Sequence, residues 1–185
     1  MTTRIEYLAR QRAWPLVRRY GFDVLVVVAA VETALELAFG RNHSNGNPPP
    51  GGSLWVLIPL SIPIFLPFFW RRRYPFAAPA AVYIYCAGLS FFEGSLVTFT
   101  FGIFMAVLAA AFLMGMLPDR TQSVSGLGIA LGAAAIVVHN DPHQSWGDFL
   151  FISILFSIVW LAGNALSAKL TQYRAAEERA ARLER

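Results

Sequence analysis

Long apolar runs, each closed by a short polar or glycine- and proline-bearing break, set the pattern of this chain. They fall at about residues 21–39, 54–70, 76–92, 96–117, 124–138 and 149–168. A hydrocarbon layer about 30 Å thick is crossed by about 20 residues of apolar helix, and by as few as about 17. The fifth run is short and needs extension at one end or the other to span. None of the runs alternates, whereas a membrane barrel reads as alternating segments of about ten residues. The pattern therefore predicts an all-α integral membrane protein, a six-span helical bundle over residues 21–168.

The polar positions between the runs give the orientation. Arg4, Arg10, Arg12, Arg18 and Arg19 precede the first run, and Arg71, Arg72 and Arg73 separate the second from the third. Arg120 separates the fourth from the fifth, and Lys169, Arg174, Arg179, Arg182 and Arg185 follow the sixth. With six spans all of these lie on one side and Arg41 alone on the other. Positive loops stay cytoplasmic, so both termini are expected there, in a multi-pass protein of the plasma (inner) membrane. Residues 1–20 read as a basic interfacial segment. Thr3 and Glu6 fit a capping box, and Ile5, Leu8, Trp14 and Leu16 among arginines predict a short helix lying on the inner leaflet.

Composition agrees. The 185 residues are 56% hydrophobic and 14% charged, where a soluble domain approaches a quarter charged. The net charge of +4 taken alone suggests nucleic acid, but its placement points to lipid. The densest basic stretch, Trp70-Arg71-Arg72-Arg73-Tyr74-Pro75, reads as an interfacial stop and cytoplasmic hairpin, with anionic headgroup binding as its further use. Pro79 falls in the first turn of the next helix, where its missing N–H costs little. A cleaved leader ending at Ala38-Phe39-Gly40 is disfavoured, because Glu32 and Glu36 would lie between the apolar core and the cut.

Candidate chemistry gathers on the side opposite the arginines. Glu32 and Glu36 stand one turn apart at membrane depth, where carboxylates are costly and usually face a bundle interior or a water-filled cavity. With Glu93, His139 and His143 they form the candidate polar sensing cluster, and His43, Asp141 and Asp148 lie on the same side. Histidine titrates near neutral pH, yet Pro142 interrupts the helical spacing of His139 and His143, so no metal site is assigned. Asp23 reads as a helix-start acid near Arg18 and Arg19. The lone Cys86 reads as a buried thiol.

Three packing features stand out. Gly128 and Gly132 form a G-x-x-x-G that lets backbones approach closely, within the chain by default and otherwise across a dimer. Ser153 and Ser157 repeat the small-residue spacing in the sixth run. Pro59, Pro63 and Pro67 each remove an intrahelical hydrogen bond and predict a kinked second helix. No catalytic residue is found. Ser125 and His139 are about 21 Å apart along a helix, too far for a serine–histidine pair, and no phosphate-binding loop or zinc-protease motif is present.

The last run passes into KLTQYRAAEERAARLER, residues 169–185, which lacks glycine and proline and is rich in strong helix formers. Leu166, Leu170, Tyr173, Ala176, Ala180 and Leu183 follow a coiled-coil seam with one discontinuity near Tyr173. The last helix is therefore expected to continue into the cytoplasm as a signalling helix that leads to a further domain.

The WRRRYP hairpin, the short-looped helices and the terminal RAAEERAARLER helix together resemble the membrane input region of bacterial two-component sensor histidine kinases. That resemblance implies signal input passed through the last helix of a homodimer to a cytoplasmic kinase core, and from there to a response regulator. It implies ATP and Mg²⁺ for that core, and no cofactor, phospho-accepting histidine or kinase activity in this chain. A small transporter or channel subunit, with Glu32 and Glu36 lining a path, and a ligand-free membrane scaffold are the alternatives.

Overall fold

The computed structural model describes residues 2–40 and 49–183, with side chains for residues 20–40 and 49–182. The capping-box side chains at Thr3 and Glu6, Arg41, His43 and the side chain of Leu183 lie outside the described residues. Every regular element among the described residues is helical. The seven α-helices are α1 (Thr2–Phe39), α2 (Leu54–Ser61), α3 (Ala77–Ser90), α4 (Gly94–Phe99), α5 (Phe101–Gly115), α6 (Arg120–Asn140) and α7 (Trp146–Leu183).

Three elements depart from the sequence pattern or refine it. α1 is one helix from Thr2, where a separate surface helix was expected; Gly21, worth about 1 kcal/mol against a helix, does not break it. The second run kinks at its prolines. Pro59 lies inside α2, and beyond Ser61 the chain tightens into 3₁₀ segments at Ile62–Ile64 and Leu66–Trp70, each with a proline near its start. The loosened Leu60 carbonyl accepts the Tyr85 hydroxyl at 2.8 Å. The fourth run is not one helix: Thr100, extended at φ −93° and ψ 126°, separates α4 from α5.

α5 is the central helix, packed against α1, α3, α6 and α7. The core around it is apolar, with Leu37, Ile64, Phe68, Tyr83, Leu96, Ile103 and Met114 fully buried. Tyr83 donates to the Val107 carbonyl at 2.6 Å and stacks edge-on against Phe156, tying α3 to α5 and α7. The outward faces are apolar too. Val24, Val27, Val28, Val31 and Leu35 on α1, and Leu150, Ile154, Ile158 and Leu161 on α7, are all exposed.

α5 and α7 cross closely. A Cβ on Gly163 would lie 2.3 Å from the Phe112 carbonyl oxygen, and one on Gly115 would lie 2.1 Å from that of Trp160. Trp160 also donates its indole N–H to Ser123 on α6, 3.0 Å from the hydroxyl. The G-x-x-x-G of α6 packs against no other element among the described residues, since a Cβ at Gly128 or Gly132 would meet nothing within 4 Å. Its small residues stand with Val124, Ser125 and Ile136 on the exposed side of the helix.

Among the described residues two helices, α6 and α7, are long and apolar enough to cross a membrane. α7 is largely exposed along its apolar stretch, unlike the buried core helix of a soluble protein.

Candidate functional site

The elements bring Glu32, Glu36, Glu93, Asp141 and Asp148 toward one end of the bundle, and Arg71, Arg72, Arg73 and Arg120 to the other, where Asp23 and Asp119 also lie. At the basic end Arg71 does more than mark a boundary. Its guanidinium pairs with Asp23 of α1, donates to the Phe68 carbonyl at 2.8 Å and covers the Phe22 ring at 4.1 Å. Asp23 thus pairs across the bundle with Arg71, and the hairpin that carries Arg71 is clasped to α1. Arg73 stacks over its neighbour Tyr74 at 5.5 Å.

At the acidic end Glu36 reaches from α1 to the break at Thr100 and accepts the Phe101 N–H at 2.7 Å. A helix start leaves its first N–H groups unpartnered, so this carboxylate caps α5 from a neighbouring helix. Thr100 donates to the Leu96 carbonyl at 3.3 Å and closes the other side of the break. One turn before Glu36, Glu32 Oε2 is buried with no hydrogen-bond partner. It lies against Gly102, where a Cβ would be 2.5 Å from it and 2.2 Å from Thr33 Oγ1. Thr33 is spent on its own helix, donating to the Ala29 carbonyl at 2.9 Å. Glycine at 102 is what lets α1 and α5 meet here.

The rest of the expected cluster does not join this pair. Glu93, at the N-cap position of α4, accepts the Ser95 hydroxyl at 2.8 Å and faces the Gly51 N–H at 3.4 Å. It staples the 49–53 segment to the α3–α4 turn. His139 stands in the last turn of α6, which ends at Asn140, and His143 in the α6–α7 turn beyond it, so the two are not on one helix face.

The organising residue there is Asp141, which is 3% exposed. It accepts Thr98 Oγ1 at 2.6 Å and the His143 N–H at 3.0 Å, with His143 Nδ1 at 3.3 Å. Gly94 allows the α3–α4 turn to close on α6, since a Cβ would stand 2.6 Å from the Asn140 carbonyl. Asn140 in turn donates to Ser90 at 2.9 Å. Among the described residues no three metal-ligating side chains come together.

Nothing local in the sequence sets Asp141 apart from the other loop acids; its partner Thr98 is 43 residues away in the chain. The start of α7 does carry a local signal. Ser145-Trp146-Gly147-Asp148 has the capping-box spacing and makes the half of it in which Asp148 reaches back: Ser145 N–H and Oγ both donate to Asp148 Oδ2 at 2.7 Å. Hydrogen bonds from the Ser145 hydroxyl and amide hold the Asp148 carboxyl below the usual aspartate range.

Beneath this cap lies a cavity of about 290 Å³. Its walls are mostly apolar, with Tyr83, Cys86 and Phe104 on one side and Phe151, Ile152 and Phe156 of α7 on the other. Thr98, Gln144 and Asp148 form its polar mouth. An apolar pocket with a few convergent polar groups has the form of a small-molecule site, and this one has the long helix as a wall.

Further along α7 the expected seam is uncovered. Leu166 and Leu170 are 41% and 40% exposed and Tyr173 is 69% exposed. Ala176 and Ala180 are also exposed.

These features define an all-helical protein with two helices suited to crossing a membrane, a polar cap over a cavity at one end, and a long charged helix leaving the other. The chain belongs to the DUF7134 family, a domain of unknown function, which matches residues 12–169. The matched stretch closes at Lys169, where α7 turns from apolar to charged. No curated protein and no solved structure matches the chain.

Proposed function

We propose that this chain is the membrane signal-input domain of a two-component sensor histidine kinase. It crosses the inner membrane six times, with the 62–70 segment completing the second pass and α4 with α5 forming the fourth, and keeps both termini in the cytoplasm. The observation that carries this reading is α7, a single helix from Trp146 to Leu183. Its first part lines the cavity beneath the polar cap, its middle crosses α5 at Gly163, and its last part presents an uncovered apolar seam. A ligand or charge change at the acidic end would shift α5 and α7 against each other. The seam would carry that shift, as a homodimer, to an ATP- and Mg²⁺-dependent kinase core that phosphorylates a response regulator. The chain itself supplies no kinase chemistry.

Helix continuity supplies the test. Side-chain facing is fixed at 3.6 residues per turn, so one residue inserted after Lys169 rotates everything downstream by about 100°. A full heptad nearly restores the facing and preserves the seam. In a chimera that joins the chain to a kinase core, the single insertion is expected to lock or abolish regulation and the heptad to spare it. Equal behaviour of the two insertions would reject the coupling.

The break at Thr100 favours a second reading. Discontinuous helices with their ends aimed at charged groups are typical of transporters, and Glu36 meets the start of α5 in that way. A transporter would tolerate both insertions in an uptake assay.

A further inference from the structure

A second cavity, of about 330 Å³, runs between α1, the 62–70 segment and α5. Phe22, Phe65, Phe68, Phe101 and Met105 line it, and among the described residues Glu32 is its one ionisable wall residue. From Glu32 to Phe22 is ten residues of α1, about 15 Å at 1.5 Å per residue. One end of this groove is thus a carboxylate, and the other is the aromatic floor beneath Arg71.

We propose that this groove binds a single-chain lipophilic cation, an alkylammonium amphiphile, with its chain along the α1–α5 groove and its ammonium on the Glu32 carboxylate. The proposal rests on the membrane placement given above but not on the kinase reading.

The argument is one of charge in an apolar setting. Among the described residues Glu32 has no cationic partner, and its Oε2 is buried without a donor in hydrogen-bond geometry, the carboxyl having Glu36 and the Gly102 amide beside it. The Glu32 side chain is only partly buried, but its inner oxygen is a buried acceptor without a donor, which is costly, and an ammonium supplies both the charge and the donors. Glu36, one turn on, adds negative potential while its own Oε2 is engaged by Phe101. A divalent metal ion does not fit the same place, because hard cations take several oxygen ligands and the wall offers a single carboxylate. A neutral lipid chain gains little, because bilayer hydrocarbon is as apolar as the groove. Selection from the bilayer must then come from the head group.

The test is photolabelling of the purified full chain in lipid nanodiscs. The probes are a diazirine-bearing dodecylammonium and the equal-length neutral alcohol, with labelled peptides mapped by mass spectrometry. The ammonium is expected to label α1 and α5 peptides at the groove at least about tenfold more than the alcohol. Glu32→Gln, which keeps the shape, is expected to lower that labelling by about tenfold, the scale of a lost charge-assisted hydrogen bond. Met105→Trp, which fills the groove and keeps Glu32, is expected to lower it similarly, and Glu178→Gln on the exposed tail to leave it unchanged.

Equal labelling by both probes would overturn the proposal and leave the groove as a seat for lipid chains. So would labelling that Glu32→Gln does not change while thermal unfolding stays like that of the parent. The kinase reading is tested separately by the insertion experiment, so the failure of one is distinguishable from the failure of the other.

Discussion

A single methyl group measures how closely α5 and α7 cross. Gly163→Ala would put a Cβ 2.3 Å from the Phe112 carbonyl, an overpacking that costs roughly 1–3 kcal/mol. Gly128→Ala would meet open space and gain up to about 1 kcal/mol of helix propensity. Thermal unfolding in nanodiscs is expected to fall for the first and to hold or rise for the second. The contrast shows why residue-level reading from sequence succeeded only in part. Gly128 and Gly132 form a pattern within one helix, so spacing reveals them. Gly115 and Gly163 form a close contact only because α5 and α7 meet, and no local pattern encodes that. Asp141 and Thr98 escaped for the same reason. The Ser145–Asp148 box was local and therefore readable. Its carboxyl, held low by Ser145, stabilises the start of α7 at pH above the ordinary aspartate value of 3.8. That contribution is lost as pH falls through the lowered value. A carboxyl NMR titration is expected to place Asp148 below 3.8 in the parent and nearer to it in Ser145→Ala. No change on that substitution would reject the cap.

At the scale of elements, apolar run length predicted where helices lie but not where one breaks. The 96–117 run has no glycine or proline at its Thr100 break, and the partner that holds the break open, Glu36, comes from a helix 65 residues away in the chain. Pairing of this kind is tertiary and overrides local propensity. Glu36→Leu would remove the exposed cap on the Phe101 N–H, a loss on the scale of about 0.5–2 kcal/mol for a helix cap, whereas Glu36→Gln keeps a carbonyl oxygen for it. Thermal unfolding is expected to fall for leucine and to stay close to the parent for glutamine, and equal loss in both would show that charge rather than capping matters. The proline-bearing second run was the opposite case. Pro59, Pro63 and Pro67 act through their own missing donors, so the loosening to 3₁₀ geometry was visible in the residues themselves.

Across the whole molecule, charge sorts to the two ends while the outward helix faces stay apolar. Glu36, Glu93, Asp141 and Asp148 lie at the end that carries the 91–95 and 141–145 turns, and Arg71, Arg72, Arg73, Arg120 and Lys169, with Asp23 and Asp119 among them, lie at the end that carries the 71–76 and 116–119 turns. The all-helical architecture was legible because apolar runs of helical length admit few alternatives, whereas the order of packing around α5 rests on contacts between distant segments. A membrane lying between the two ends is what the sensing and coupling proposals both require. The direct measurement is a set of dual reporter fusions, active on opposite sides of the membrane, joined after Gly46, Arg73 and Gln144. Outside signals at Gly46 and Gln144 with an inside signal at Arg73 are the predicted result. An inside signal at Gln144 would contradict it, because α7 would then begin and end on the same side.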